Sequence, residues 1–277
     1  MCRLLGVLSV KPTNARRYLL DDPCSLYIQS MADPKRLQAD GWGIGYYRNG
    51  TPVIIKDHRP VYRDYKGFSS AIQKVRSNII IAHIRRASNP RGLKKEALIS
   101  VENSQPFTYD RYIFAHNGTI IIPDELANTL GVWKTKIRGL NDSEVYFWFL
   151  MKKMSEGFNL SEALMEFRET MRNLWVRVRY AHPDKDQPYH MLNIVFSDGE
   201  ALYAYCEYDE TAKPARSLCF RDQPIYQMSY KLLDDELVIA SEKTNREENW
   251  RAIKNGEMLT GRIENGRVTV ETMSLIS

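Results

Sequence analysis

Short apolar runs crowd both ends of this 277-residue chain, and helical spacing appears only between them. Arg3 to Val10 reads as a buried strand. Trp42–Arg48 and Pro52–Lys56 read as a hairpin across Asn49-Gly50, a pair that accepts the positive φ angles of a type I′ turn. Asn78–Ile84 and Arg111–Ala115 are short apolar strands. Met191–Phe196 and Ala201–Glu207 predict a hairpin around Asp198-Gly199, and Met258–Ile263 and Arg267–Met273 another around Asn265-Gly266. Helices are predicted over Arg63–Arg76, Asp142–Met154 and Leu160–Trp175. In the last, Leu160, Leu164, Phe167, Met171 and Trp175 recur at helical spacing, a stripe that reads as core. Asn159 and Glu162 stand where an N-cap and its partner three residues on would stand. Strands at both ends with helices grouped between them, and no regular strand–helix alternation, argue an antiparallel α+β architecture.

No internal repeat, low-complexity tract or linker interrupts this pattern. The polar stretch from Ala181 to Pro188 is the expected surface excursion. Basic residues are densest from Arg168 to Arg179, across a helix end and a strand-like run, and read as a solvated face. The formal net charge of +5 is mild, and its basic residues alternate with acidic ones, so no nucleic-acid partner is expected. No apolar run is long enough to span a membrane, and no signal peptide is read, so a cytoplasmic location is expected. The four cysteines, Cys2, Cys24, Cys206 and Cys219, lack metal-like spacing. In a reducing compartment the last three are expected as buried or partly buried thiols. Five scattered histidines give no metal pattern either, and no metal or cofactor is expected.

Cys2 changes the picture. Position 2 holds a side chain small enough for removal of Met1, which would leave a thiol and a free α-amine on one α-carbon. With a reference pKa of about 7.7–8.0 that amine is partly neutral near pH 7 and can take the thiol proton. Alone, a cysteine at position 2 means little. Behind it, in order, come Asp40-Gly41-Trp42-Gly43, His83-Ile84-Arg85-Arg86-Ala87-Ser88, Glu102-Asn103-Ser104-Gln105-Pro106-Phe107, His116-Asn117-Gly118-Thr119 and Asn141-Asp142-Ser143-Glu144. Weaker echoes follow at Leu192 to Gly199 and Ile239 to Glu242.

That series resembles the class II glutamine amidotransferase family, N-terminal-nucleophile hydrolases of the cysteine type, and within it the free-standing single-domain branch. The resemblance implies a four-layer α/β/β/α sandwich of two antiparallel sheets, formed by residues 2–277 as one domain. It implies Cys2 as nucleophile and Asn117 and Gly118 as the oxyanion hole. It also implies Arg85 on the substrate carboxylate, Asp142 on its α-ammonium, and Ser88 as a further substrate contact. The chemistry suits these types. An amide N–H and an unobstructed glycine N–H can meet developing negative charge, and a guanidinium fork matches a carboxylate. Without that context, Asn117-Gly118 is a turn, Arg85 a surface ion pair and Asp142 an N-cap. His83 and His116 could form a Cys–His dyad, but histidines at strand ends are more often structural. Trp42 fits either a pocket wall or the core.

The expected activity is cleavage of the γ-amide of glutamine or a γ-glutamyl compound through a Cys2 thioester. The alternatives are a γ-glutamyl peptide or conjugate hydrolase that ignores free glutamine, and a catalytically silent glutamine-binding or scaffold subunit. No stretch resembles a synthase, so ammonia would pass only to a separate subunit. Gln105 stands where free-standing relatives usually carry histidine, Arg86 replaces a residue that is often apolar, and 89–101 looks long. These departures are expected at the pocket mouth, where they would bear on substrate identity.

Overall fold

The computed structural model describes residues 1–210 and 215–276. The strands are β1 (Arg3–Thr13), β2 (Trp42–Arg48), β3 (Thr51–Asp57), β4 (Ser77–Ile84), β5 (Phe107–Tyr109), β6 (Tyr112–Ile120), β7 (Tyr189–Ser197), β8 (Leu202–Cys206), β9 (Ser229–Leu232), β10 (Glu236–Ala240), β11 (Trp250–Ala252), β12 (Glu257–Glu264) and β13 (Arg267–Ser274). The helices are α1 (Leu26–Gln29), α2 (Tyr65–Lys74), α3 (Lys95–Leu98), α4 (Pro123–Ala127), α5 (Asp142–Ser155) and α6 (Leu160–Val178). The strands form a seven-stranded sheet, ordered β11-β9-β10-β1-β4-β2-β3, and a six-stranded sheet, ordered β13-β12-β8-β7-β6-β5. Every pairing within them is antiparallel.

Strand alternation sorts side chains into layers. Leu4 and Leu8 of β1, Ile79 and Ile81 of β4, and Ile113 and Ala115 of β6 meet between the two sheets. Leu5, Val7, Ile80 and Ala82 face the other way, onto Phe68 and Ile72 of α2. Phe114, Ile194 and Phe196 of the second sheet pack on α5 and α6. This is the four-layer sandwich expected from the sequence. Helix α5 is buried on all sides from Asp142 to Met151, as a helix held between a sheet and other helices must be.

The Asn49-Gly50 and Asn265-Gly266 turns take positive φ at both positions (51° and 76° in each pair), as the hairpin reading requires. The Asn159–Glu162 capping box is formed at the start of α6. Trp42 belongs to the outer core, edge-on to Phe68 with ring centroids 5.1 Å apart.

Three expectations need correction. Cys24 and Cys219 are not thiols but a disulfide, closing a sequence separation of 195 residues. Cys2 and Cys206 are free. The strand-like run after Trp175 continues α6 to Val178, because the preceding turns fix the helix and Val178 still packs on its core. Nor is the basic stretch wholly solvated: half-buried Arg168 pairs with Glu207 at 3.0 Å. Among the described residues no helix is long and apolar enough to cross a membrane.

Candidate active site

Strand β1 begins one residue after Cys2 and is hydrogen-bonded between β4 and β10, with Arg3 opposite Ile84 and Leu5 opposite Ala240. This interior position pins Cys2 beside the segment leaving β4. The Cys2 sulfur lies 3.4 Å from both the backbone nitrogen and the carbonyl oxygen of Arg86, and Cys2 is buried. It opens on a cavity of about 380 Å³ whose wall includes Met1, Cys2, Arg86, Ser88, Gly118 and Thr119. Of the six residues singled out in the sequence, Cys2, Ser88 and Gly118 therefore share one wall.

The other three adjoin it. Asp142 is buried at the first turn of α5, where Asn141, not Asp142, caps the helix by accepting from Ser143 N. The Asp142 carboxylate accepts from Ser88 Oγ at 2.6 Å and from Ile120 N at 2.7 Å. Arg85 is buried, with Nη1 donating to the Leu98 carbonyl at 2.7 Å. Segment 89–101 thus holds one arm of the Arg85 guanidinium. Burial lowers the Arg85 pKa, opposed by the nearby Cys2, Asp40 and Asp142. Asn117 is fully buried on β6, and both its Oδ1 and Nδ2 lack a hydrogen-bond partner.

Gly118 pairs with Leu192 just before β6 and β7 slip register, and the residue left unpaired by the slip, Met191, holds a φ of 59°. A Cβ on Gly118 would fall 2.1 Å from the Met191 carbonyl oxygen and 2.4 Å from His116 Nε2. Only glycine lets the strand pass there, beside the cavity.

The two histidines beside the site are buried. His116 Nε2 lies 3.3 Å from the Met191 carbonyl and Nδ1 2.9 Å from Ser143 Oγ. A carbonyl can only accept, so Nε2 carries the proton and Nδ1 accepts from the serine. Burial depresses the His116 pKa to about 4, opposed by Asp142. His83 lies on the inter-sheet face of β4, and burial and then Arg85 push its pKa well below the ordinary value. Neither is paired with Cys2.

Gln105 is not at the pocket mouth. It is buried, accepting from His116 N at 2.7 Å and donating to His116 O at 3.1 Å, so its amide pairs with β6 as a strand residue would. Arg86 does line the cavity and is exposed. The sequence reading missed Gln187, His190, Asp209 and Tyr226 in the wall, and the buried Arg3 that follows Cys2. The Arg3 guanidinium is fully buried within electrostatic reach of Glu242 and Cys2, and burial pushes its pKa down to about 10. Its place directly after Cys2 was the available signal. The Met1 amine is lowered to about 6, chiefly by burial, with Arg3 and Arg86 adding to the effect and Cys2 opposing it.

An uncharacterized protein of Methanocaldococcus jannaschii is 28% identical over 279 residues, covering 94% of this chain and 68% of its own. The γ-glutamyl-hercynylcysteine sulfoxide hydrolase of Mycobacterium tuberculosis is 34% identical over 125 residues, 43% of this chain, and the match spans only half of that hydrolase. A glutamine aminotransferase class-II domain protein from Silicibacter pomeroyi superposes over 99% of this chain and all of its own with a TM-score of 0.62, at 18% identity. The phosphoribosylpyrophosphate amidotransferase of B. subtilis superposes over 98% of this chain and 49% of its own with a TM-score of 0.61, at 17% identity, so the fold is that of the N-terminal-nucleophile amidotransferases. The family model of class II glutamine amidotransferases matches residues 1–275, and the chain belongs to that family.

Proposed function

We propose that this protein is an amidohydrolase that cleaves the γ-amide of glutamine or of a γ-glutamyl compound through a thioester on Cys2. The observation that carries the reading is the fully buried Asn117 amide, unpartnered and adjacent to Gly118 in the wall that holds Cys2. Burying an amide without partners costs roughly 1–3 kcal/mol, so it marks a site kept for something other than stability. Loss of Met1 would free the Cys2 amine. That amine would stand on the same α-carbon as the thiol, within reach of its proton.

In this mechanism the amine takes the Cys2 thiol proton and the sulfur attacks the carbonyl carbon of the γ-amide. The carbonyl oxygen becomes an oxyanion held by Asn117 Nδ2 and the Gly118 N–H. The C–N bond breaks, the amine's proton goes to the leaving nitrogen, and ammonia or an amine departs. Water then adds to the thioester, its proton returning through the amine to sulfur as the C–S bond breaks and γ-carboxylate is released. Arg85 would bind the α-carboxylate, and Asp142, with Ser88, the α-ammonium. The local similarity to a γ-glutamyl conjugate hydrolase favours a substrate whose γ-nitrogen carries a substituent over free glutamine.

Intact mass measured after treatment with a diazoketone analogue of glutamine tests this reading. The expected product lacks Met1 and carries one adduct on Cys2. Active protein that retains Met1 quantitatively would overturn it.

A further inference from the structure

The candidate cavity has a neighbour. Gln187, Met191 and Asp209 line both it and a second cavity of about 310 Å³, whereas Arg86 and Ser88 line only the first. Tyr226 of the first and Tyr208 of the second have ring centroids 6.2 Å apart. Volumes of this order are those of small-molecule sites. If the Ser88–Asp142 side holds the amino-acid end of a γ-glutamyl group, the γ-nitrogen substituent is directed toward the shared residues and the second cavity.

We propose that the second cavity binds the amine portion of a γ-glutamyl amide, and that this portion is an aromatic α-amino acid. The proposal rests on the hydrolytic reading of the Cys2 site. Helix α6 presents Arg168, Arg172 and Trp175 to the cavity at helical spacing, and Tyr189 and Tyr208 complete its aromatic lining. Glu207 neutralises Arg168 at 3.0 Å and accepts from the Tyr189 hydroxyl at 2.9 Å. Arg172 is exposed and has no hydrogen bond or ion pair among the described residues, which leaves its guanidinium fork for a ligand carboxylate. Aromatic side chains in a cavity wall favour contact with a planar ring, edge-on or offset. Free glutamine, whose leaving group is ammonia, would leave the cavity empty.

Binding to the full chain carrying Cys2→Ala tests the subsite apart from catalysis. By calorimetry, γ-glutamylphenylalanine is expected to bind more tightly than glutamine. Adding Arg172→Gln should weaken the dipeptide about 10-fold and leave glutamine unchanged, as loss of one charge-assisted contact would. Trp175→Leu should erase the preference for γ-glutamylphenylalanine over γ-glutamylalanine. Equal effects of Arg172→Gln on dipeptide and glutamine, or none on either, would overturn the subsite. Turnover of γ-glutamylphenylalanine by the unaltered enzyme is read separately: dipeptide binding that depends on Arg172, without any turnover, would sink the hydrolytic reading and leave the subsite standing.

Discussion

Asn117 is fully buried, yet neither atom of its amide has a partner. An apolar residue of similar shape would satisfy the fold as well or better, since replacing an unpaired polar group is neutral or stabilising. Asn117→Leu is therefore expected to melt at the same or a higher temperature while kcat falls about 10²–10³-fold, the usual cost of a lost oxyanion donor. A melting point several degrees lower, with kcat intact, would make Asn117 structural. Asp142→Asn should act on KM instead, raising it about 10-fold by leaving the substrate ammonium without a charged partner. Unchanged KM would remove Asp142 from the binding site. The residue types of the candidate site were legible because their chemistry restricts them to few choices. Gln105 was not legible: its task is to imitate backbone, and a glutamine in a loop gives no hint of the strand it will pair with.

Strands carry the site histidines inward, and this makes stability depend on pH. His116 is held neutral, with its folded pKa near 4 against 6.5 for the ordinary side chain, and His83 is depressed too. Between those values the unfolded chain binds protons that the folded one refuses. The stabilisation is thus complete above about pH 6.5 and is lost progressively as pH falls toward 4. For His116 alone the loss is of order 3 kcal/mol, at about 1.4 kcal/mol per pKa unit. Chemical denaturation of the protein and of His116→Gln should diverge in slope across this window, the variant being flatter; parallel curves would exclude His116 as the source. Element by element, hairpins on Asn-Gly turns were readable because local backbone angles decide them. Strands β9 to β11 were not. Each has only three to five residues, and Asp234 and Asp235 break the pattern between β9 and β10. Of the three, β10 is placed by β1, more than two hundred residues away in sequence, and β9 and β11 add on beyond it. At the end of α6, Val176 to Arg179 alternates like a strand, but the helix already running from Leu160 carries on to Val178.

At the scale of the molecule, the Cys24–Cys219 disulfide is the feature that sequence spacing did not announce, because two cysteines so far apart are brought together only by the finished fold. Reduction should lower the melting temperature, the chain-entropy effect for so long a loop being about 5 kcal/mol at most. Thiol titration of the denatured protein should find two groups, Cys2 and Cys206, before reduction and four after it. Four before reduction would mean that the bond does not form. The bond also makes residues 24–219 a closed covalent ring. Strand β1, with Cys2 at its head, is a tail on one side of that ring, and β9 to β13 are a tail on the other. One cut inside the ring opens it without dividing the molecule. A protease site inserted after Asp184, in the exposed excursion before β7, should therefore give a nicked protein that runs as one species unreduced and as two once reduced. The tail carrying Cys2 and the strand carrying Met191 would stay covalently tethered through the cut, and after reduction only noncovalent contacts, the pairing of β1 with β10 and of β6 with β7 among them, would hold the two pieces together.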